Sequence, residues 1–508
     1  WLLLKIGFGE SFTAVGIHEV NAHGHAQIFG WVGLFVMGFA YQAFPRFKHT
    51  TLAYPALAFT TLWLMLIGIT GRVVLEPLGE RFPAVWPVAM LFPVLEVVAI
   101  GLFVWIILTT LCRSGKPLEF YDAYILCALA WFFIQGIYAG LLFAATAFAA
   151  TEEALLSVIA TWQAPLREIQ IHGFAMLMIL GVSQRMFPNF YGFKKPNPTF
   201  SLIVLAILNL SLLGIVAGFY LMRTASPAWA GLWYTSILAL TGSVAALVWG
   251  WRLDQRPEDW DRSLKFLRMA YVWLHISLAM LVLLPLYQFV FLPWLAPQSA
   301  AVATGFSHAY YGAIRHAITV GFVSMMIVGV AAKVVPTLNG VDLRQLTLLW
   351  APFWLLNIGC AFRVVGQTLT DIYPSIFPFI GISGLLEFTA LLLWGIHLVA
   401  IMRGRVRLKQ VAPEARVILR PGEPIALGHV VGDVLHLYPH LLDDFVAFGF
   451  LPLKNSLLRH TLARTVTIAS ACRKVSVDVE ALLRCLNQKR TGAPAHSVEP
   501  VSPVEESH

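Results

Sequence analysis

Slid against itself by 291 residues without a gap, the chain places ionisable residues on ionisable residues inside segments that are otherwise apolar. His25 falls on His316, Arg72 on Arg363 and Glu96 on Glu387, while Gly30, Gly38, Pro45, Trp63 and Gly68 fall on Gly321, Gly329, Pro336, Trp354 and Gly359. Ionisable groups are costly in hydrocarbon and mark function by default. A register that holds His, Arg and Glu twice therefore describes a retained site. A weaker copy lies between these two, because Gly173, Gly181 and Pro188 repeat the spacing of Gly30, Gly38 and Pro45. The chain is a triplication, and a fold built from three copies of one unit follows.

The solvent of that fold is a bilayer. Of 508 residues 58% are hydrophobic and 12% charged, with a mean hydropathy of +0.74, a balance that excludes a soluble globule. Stretches long enough to cross ~30 Å of hydrocarbon fall near 22–47, 53–75, 88–112, 121–149, 165–190, 199–222, 230–252, 264–292, 309–335, 347–369 and 375–402. Copies two and three hold four each, and copy one holds three plus an apolar stub at residues 1–8. The expected fold is an all-α polytopic membrane protein of about twelve transmembrane helices in three four-helix repeats, near 1–114, 115–255 and 256–405. The first helix reads as truncated at its start, where no initiating Met stands and no signal peptide is legible.

Alternate loops differ in charge. One set holds most of the Lys and Arg, from Arg46 and Lys48 through Lys194, Lys195 and Arg262 to Lys409, whereas the other has only Arg72, Arg81, Arg167, Arg223, Arg315 and Arg363. The positive-inside rule makes the first set and both termini cytoplasmic, with loops 9–21 and 151–164 outside. The net charge of +8 thus reflects topology and contact with the lipid bilayer, not nucleic-acid binding. Cys112, Cys127, Cys360, Cys472 and Cys485 form no CxxC pair and no zinc-like spacing, which leaves them structural.

The element present three times is the second helix of each unit, reading HGHAQIFGWVGLFVMGFAYQAFPRF, EIQIHGFAMLMILGVSQRMFPNF and HAITVGFVSMMIVGVAAKVVP. Gly38 and Pro45 share one face for close packing, and His25 points well away from it. In the middle copy the position of His25 and His316 is Glu168, with His172 four residues on, one turn deeper on the same face. Imidazole is the commonest metal ligand, and two imidazoles from different helices meet the requirement for axial ligation of a haem. His25 and His316 are the candidate haem ligands, with His172 and His23 as further metal candidates, copper among them. A histidine near a helix end also serves as an interfacial hydrogen-bonding group, the reading that suits His18, His23, His275 and His308.

Arg72 and Arg363 share the pattern IG, three residues, then RVV, and Gly218 stands at their place in the middle copy. Near a haem such an arginine pairs with the propionates as a planar fork; the alternative is snorkelling to lipid phosphate. Glu96 and Glu387 lie two to three turns into the fourth helices of their copies. Each is a candidate proton relay, or a neutral carboxyl bonded to a neighbouring helix.

The stretch HGHAQIFGW at residues 23–31 is similar to the H-x-H-E-M-x-F-G stretch of the NnrS family of bacterial membrane proteins. RHAITVGFVSMMIVGVAAKV at residues 315–334 resembles that family's R-H-A-L-T-V-G segment. By the repeat, the likeness extends over about 1–405. It implies twelve membrane helices, haem and copper, residence in the bacterial inner membrane and a part in nitric oxide tolerance, with His25 and His316 first to inherit a cofactor role. A small gaseous ligand such as nitric oxide and an external electron donor follow as partners. The family's acidic residue after the second histidine is Ala26 here, followed by Gln27. The triplication also resembles the catalytic subunit of haem-copper oxidases at the level of fold alone, because the paired histidines of helix seven and the His–Tyr motif of helix six are lacking. Three functions stay open: an oxidoreductase acting on nitric oxide, a haem-based sensor, and a metal-free transporter.

After Lys409 the pattern changes. Residues 406–428 read as a linker, 429–488 as short amphipathic helices and 489–508 as a disordered tail. The helical stretch resembles the small domain found with hybrid-cluster redox proteins, but Phe450 to Leu453 stand where its CxxC belongs. A cytoplasmic interaction or sensing module is expected, without dithiol chemistry.

Overall fold

The computed structural model describes residues 2–255, 261–406 and 419–455, then Arg459, Ala463, 466–475 and 477–490. The regular elements among these residues are helices, and the one extended pairing among them is an isolated antiparallel bridge between Val430 and Thr467. Two compact units are distinguished, residues 1–334 with 348–400, and residues 335–347 with 401–508.

In the first unit α1 is Leu2–Gly9, α2 Ile17–Phe47, α3 Pro55–Arg81, α4 Pro83–Arg113, α5 Phe120–Ala147 and α6 152–191. There follow α7 Pro198–Thr224, α8 Pro227–Gly250, α9 Leu264–Leu295, α10 His308–Leu338, α11 Trp350–Leu369 and α12 Pro374–Met402. Among the described residues nine of these are long and apolar enough to cross a membrane, namely α2 to α5, α7 to α10 and α12. The chain is a multi-pass membrane protein. The two long helices outside that set carry charge where the site lies: Arg167 and Glu168 on α6, Arg363 on α11.

Two helices start earlier than hydropathy places them. Residues 151–164, expected as a loop, are the first turns of α6, begun by Thr151 whose hydroxyl accepts from Ala154 N at 3.1 Å. Glu152 and Glu153 in the first turn suit the positive end of the helix dipole. The segment is polar on one side, and a hydropathy window reads that polarity as a loop. Likewise α2 begins at Ile17 rather than near residue 22, because Glu19 is bonded to Lys5 at 2.7 Å and Asn21 to Gln163 at 2.5 Å.

α2, α6 and α10 are the repeated helices, and each changes winding at the same place. π-helical turns cover Ala26–Gly33, Ile169–Met176 and Ala317–Ser324, beginning directly after His25, Glu168 and His316. Such turns widen a helix by one residue and leave carbonyls to be satisfied otherwise. In α10 Ser324 Oγ donates to Thr319 O at 2.9 Å. The repeated glycines Gly30, Gly173 and Gly321 sit inside these turns. In copies two and three the glycine also seats an indole: a Cβ would lie 2.9 Å from Trp131 at Gly173 and 2.5 Å from Trp273 at Gly321. Each indole is tied to the third helix of its copy, Trp131 Nε1 to Asn209 Oδ1 at 2.9 Å and Trp273 Nε1 to Asn357 Oδ1 at 3.0 Å.

Polar contacts join each pair of repeated helices. Asn21 meets Gln163 between α2 and α6, Arg315 meets Glu168 between α10 and α6, and Trp31 Nε1 donates to Ser324 Oγ at 3.0 Å between α2 and α10. α1 packs Ile6 on Phe377 and Ile380 of α12, so the first helix of copy one meets the last helix of copy three. The three copies close into a ring around α2, α6 and α10.

In the second unit α13 Val431–Leu437, α14 Leu442–Ala447, α15 Ile468–Val475 and α16 Val479–Arg490 pack around Val434, Leu441, Phe445, Ile468, Leu482 and Leu486. The end of the expected linker belongs to this core: Leu419 and Ile425 are buried in it, and Asn487 bonds both the N–H and the carbonyl of Ile425, at 2.7 and 2.9 Å. α16 runs through Lys489 to Arg490. Residues 407–418 of the linker and 491–508 of the tail lie outside the described residues.

Candidate functional site

α2 brings His25 to Glu96 of α4, and α10 brings His316 to Glu387 of α12. His25 Nε2 donates to Glu96 Oε1 at 2.9 Å, and His316 Nε2 donates to Glu387 Oε1 at 2.9 Å. The residues matched by the repeat are therefore matched as contacts. The first pair is fully buried, with Glu96 2% exposed, while the side chains of His316 and Glu387 keep 21% and 12% of their surface. A carboxylate in hydrocarbon needs such a partner, and a hydrogen bond to a charged group contributes about 1.5–3 kcal/mol. The repeated glycine of the third helix makes the contact reachable. A Cβ at Gly68 would lie 2.6 Å from Glu96 Cγ, and one at Gly359 would lie 2.9 Å from Glu387 Cγ.

The middle copy builds a different group from the same position. Glu168 Oε2 accepts from His172 Nδ1 at 2.7 Å, and Oε1 accepts from Arg315 Nη2 at 3.1 Å and from Tyr311 OH at 3.3 Å. Arg315 in turn donates to Tyr311 OH. His172 is 5% exposed, and its Nε2 is buried without a hydrogen-bond partner among the described residues. It borders a small cavity that Ser277, Leu278 and Leu281 close from α9.

The two matched arginines have different surroundings. Arg72 Nε donates to Glu76 Oε2 at 3.3 Å, and its guanidinium lies 4.5 Å over the Phe143 ring. His18 Nδ1 stands 3.7 Å from the other Glu76 oxygen. Arg72, Glu76 and His25 border one cavity together with Arg167, whose Nη2 would lie 2.7 Å from a Cβ at Gly24. In copy three the place of Glu76 is taken by Gln367. Arg363 is 7% exposed, and its Nε and Nη1 are buried without partners among the described residues. Neither arginine is at the lipid surface, so snorkelling to lipid phosphate is not what this arrangement shows.

Known families match this chain in two places. The model of a family described as NnrS protein covers residues 1–405, and that of a domain of unknown function, DUF1858, covers residues 425–483. The chain belongs to the NnrS family. No curated protein matches it. Within this NnrS chain the second match falls on the small helical unit built by α13 to α16.

A haem offers iron to imidazole nitrogen and two carboxylates to guanidinium groups. Unsatisfied atoms of both kinds are present: Arg363 Nε and Nη1, Arg315 Nη1 and His172 Nε2. His172 is held as metal-bound histidines are, by a carboxylate on the opposite nitrogen. His25 and His316 have Nε2 engaged by Glu96 and Glu387, which leaves Nδ1 as the nitrogen to offer. By residue type these groups match what a haem asks of a protein, while the cavities bordered by His25 and by His172 measure about 20 and 10 Å³. No group of three or more His, Cys, Asp or Glu able to hold a metal ion occurs among the described residues. His23 is exposed on α2 and lies within electrostatic reach of His316, Arg167 and Arg363. The repeat points to neither Glu76 nor the Tyr311–Arg315 pair. The i,i+4 spacing of Arg72 and Glu76 is the signal that finds the first, and the same spacing joins Tyr311 and Arg315.

Proposed function

We propose that the chain is a haem protein of the bacterial inner membrane, its C-terminus in the cytoplasm, that binds nitric oxide or a related nitrogen oxide. The observation behind this reading is the pair of imidazole–carboxylate contacts held at matched positions of two repeats, in a chain of the NnrS family. A haem bound there supplies an iron that takes a diatomic gas and exchanges an electron. One of His25 and His316 would hold the iron, so that a position stays open for the gas, and Arg363 would bind a propionate through the two donors that the protein leaves free. Glu96 and Glu387 hold the proton at Nε2 and fix each ring, and they are the groups able to pass that proton on. Reduction of the gas needs an external electron donor, and the small helical unit is the surface for a cytoplasmic protein partner. The excess of Lys and Arg in alternate loops supports the orientation.

The optical spectrum of the purified protein tests this. A Soret band is expected in the parent, lost or converted in His25→Ala or in His316→Ala; a double variant with unchanged haem content and spectrum sinks the assignment. Consumption of nitric oxide with an added electron donor separates an oxidoreductase from a sensor. A proton-coupled transporter is the second reading, favoured because each His–Glu pair already satisfies itself. Absence of a Soret band, with uptake stopped by Glu96→Gln and Glu387→Gln, would establish it.

A further inference from the structure

The three repeated helices turn matched positions toward one another. Val32, Ala175 and Val323, each in a π-helical turn, form one level of a cavity; Val36, Ile179 and Ile327 form the next below it. The residues between and beyond keep the same spacing of three and four, the apolar stripe of one helix face repeated three times. The cavity measures about 40 Å³. A water-sized sphere needs ~10–15 Å³, so it holds a few such spheres and is far too small for an acyl chain or a quinone ring.

Its lining has one polar side chain, Ser183, and the hydroxyl of Ser183 already accepts from Tyr271 OH at 2.8 Å. Water in a cavity needs two to four polar partners, and an apolar cavity of this kind stays dry and takes xenon or small hydrocarbons instead. We propose that this axial cavity is a binding chamber for a small neutral apolar solute, a dissolved diatomic gas. The chamber needs no metal to bind gas. It therefore goes beyond the haem reading and stands or falls separately.

Diffraction from crystals of the full chain under xenon pressure tests it. A xenon peak is expected on the axis between Val36, Ile179 and Ile327, absent in Ile179→Phe, which fills the space, and stronger in Ile327→Val, which enlarges it. Should the Phe variant fail to fold, Ile327→Val still decides. No axial xenon in the parent overturns the proposal, as do ordered waters or an acyl chain in its place, or xenon occupancy indifferent to both substitutions.

Discussion

Arg72 and Arg363 occupy one position of the repeat, yet the first has Glu76 one turn on and the second has Gln367. A guanidinium with a carboxylate partner is already neutralised, whereas Arg363 keeps two buried donors free for an anion. Arg363→Leu should therefore weaken haem binding by about 1.5–3 kcal/mol per lost hydrogen bond and lower the midpoint potential. Arg72→Leu should reduce thermal stability, because it strands Glu76. Redox titration beside thermal unfolding checks both, and equal midpoints in Arg363→Leu and parent would remove the propionate role. A second ion pair sets acid stability. Burial raises the Asp261 carboxyl, but Lys333 at 2.5 Å and the bonds from Ser263 outweigh it and hold it below the ordinary 3.8. A lowered folded value means stability present above pH 3.8 and lost as the pH falls through the folded value. Asp261→Asn should flatten the pH dependence of Tm in that acid range and lower Tm above it. The register alone located His25, Glu96 and their partners as residues worth keeping. That they touch was not legible, since the contact depends on the slots at Gly68 and Gly359, and a slot across two helices has no one-dimensional signature.

At the level of helices the π-helical turns are what the apolar pattern hides. One extra residue per turn shifts the facing side chains by less than the width of an apolar stripe, so the run reads as a plain membrane helix. The glycines at their centres were legible as packing positions, and the structure separates their duties. Gly173→Ala and Gly321→Ala would drive a Cβ against Trp131 at 2.9 Å and Trp273 at 2.5 Å, whereas Gly30 has only Ile69, at 3.7 Å. Overpacking of this sort costs about 1–3 kcal/mol. Thermal unfolding in detergent should show Gly321→Ala and Gly173→Ala well below the parent and Gly30→Ala close to it. Equal losses at all three would mean that the glycine serves the π turn itself and not the indole. The early turns of α6 illustrate the opposite failure. Residues 152–164 are polar enough to read as a loop, but Thr151 caps them, and Tyr138 OH donates to Trp162 O at 2.9 Å.

At the scale of the molecule the triplication was legible because membrane helices are long, continuous and apolar, so length and register survive where local detail does not. The small unit was legible as helical, but its edge was not: Leu419 and Ile425 lie in a Pro- and Gly-containing stretch and are recognised as core only once Asn487 bonds the backbone beside them. Orientation rests on charge alone, and it decides on which side of the bilayer the site opens. Loops bearing Lys194, Lys195 and Lys116 belong to the basic set, while the turns around Ser226 and Ala150 belong to the other. The positive-inside rule predicts that the first set is cytoplasmic and that His25, Glu168 and His316 lie toward the outer face. With the exposed Cys112 replaced by Ser, a single Cys at Ser226 or at Ala150 should react with a membrane-impermeant maleimide in intact cells. A Cys at Lys195 or Gly115 should react only after the membrane is opened. The reverse pattern would put the histidine end of the bundle in the cytoplasm, and a gas reaching the imidazoles would then do so from the side that carries the reductant.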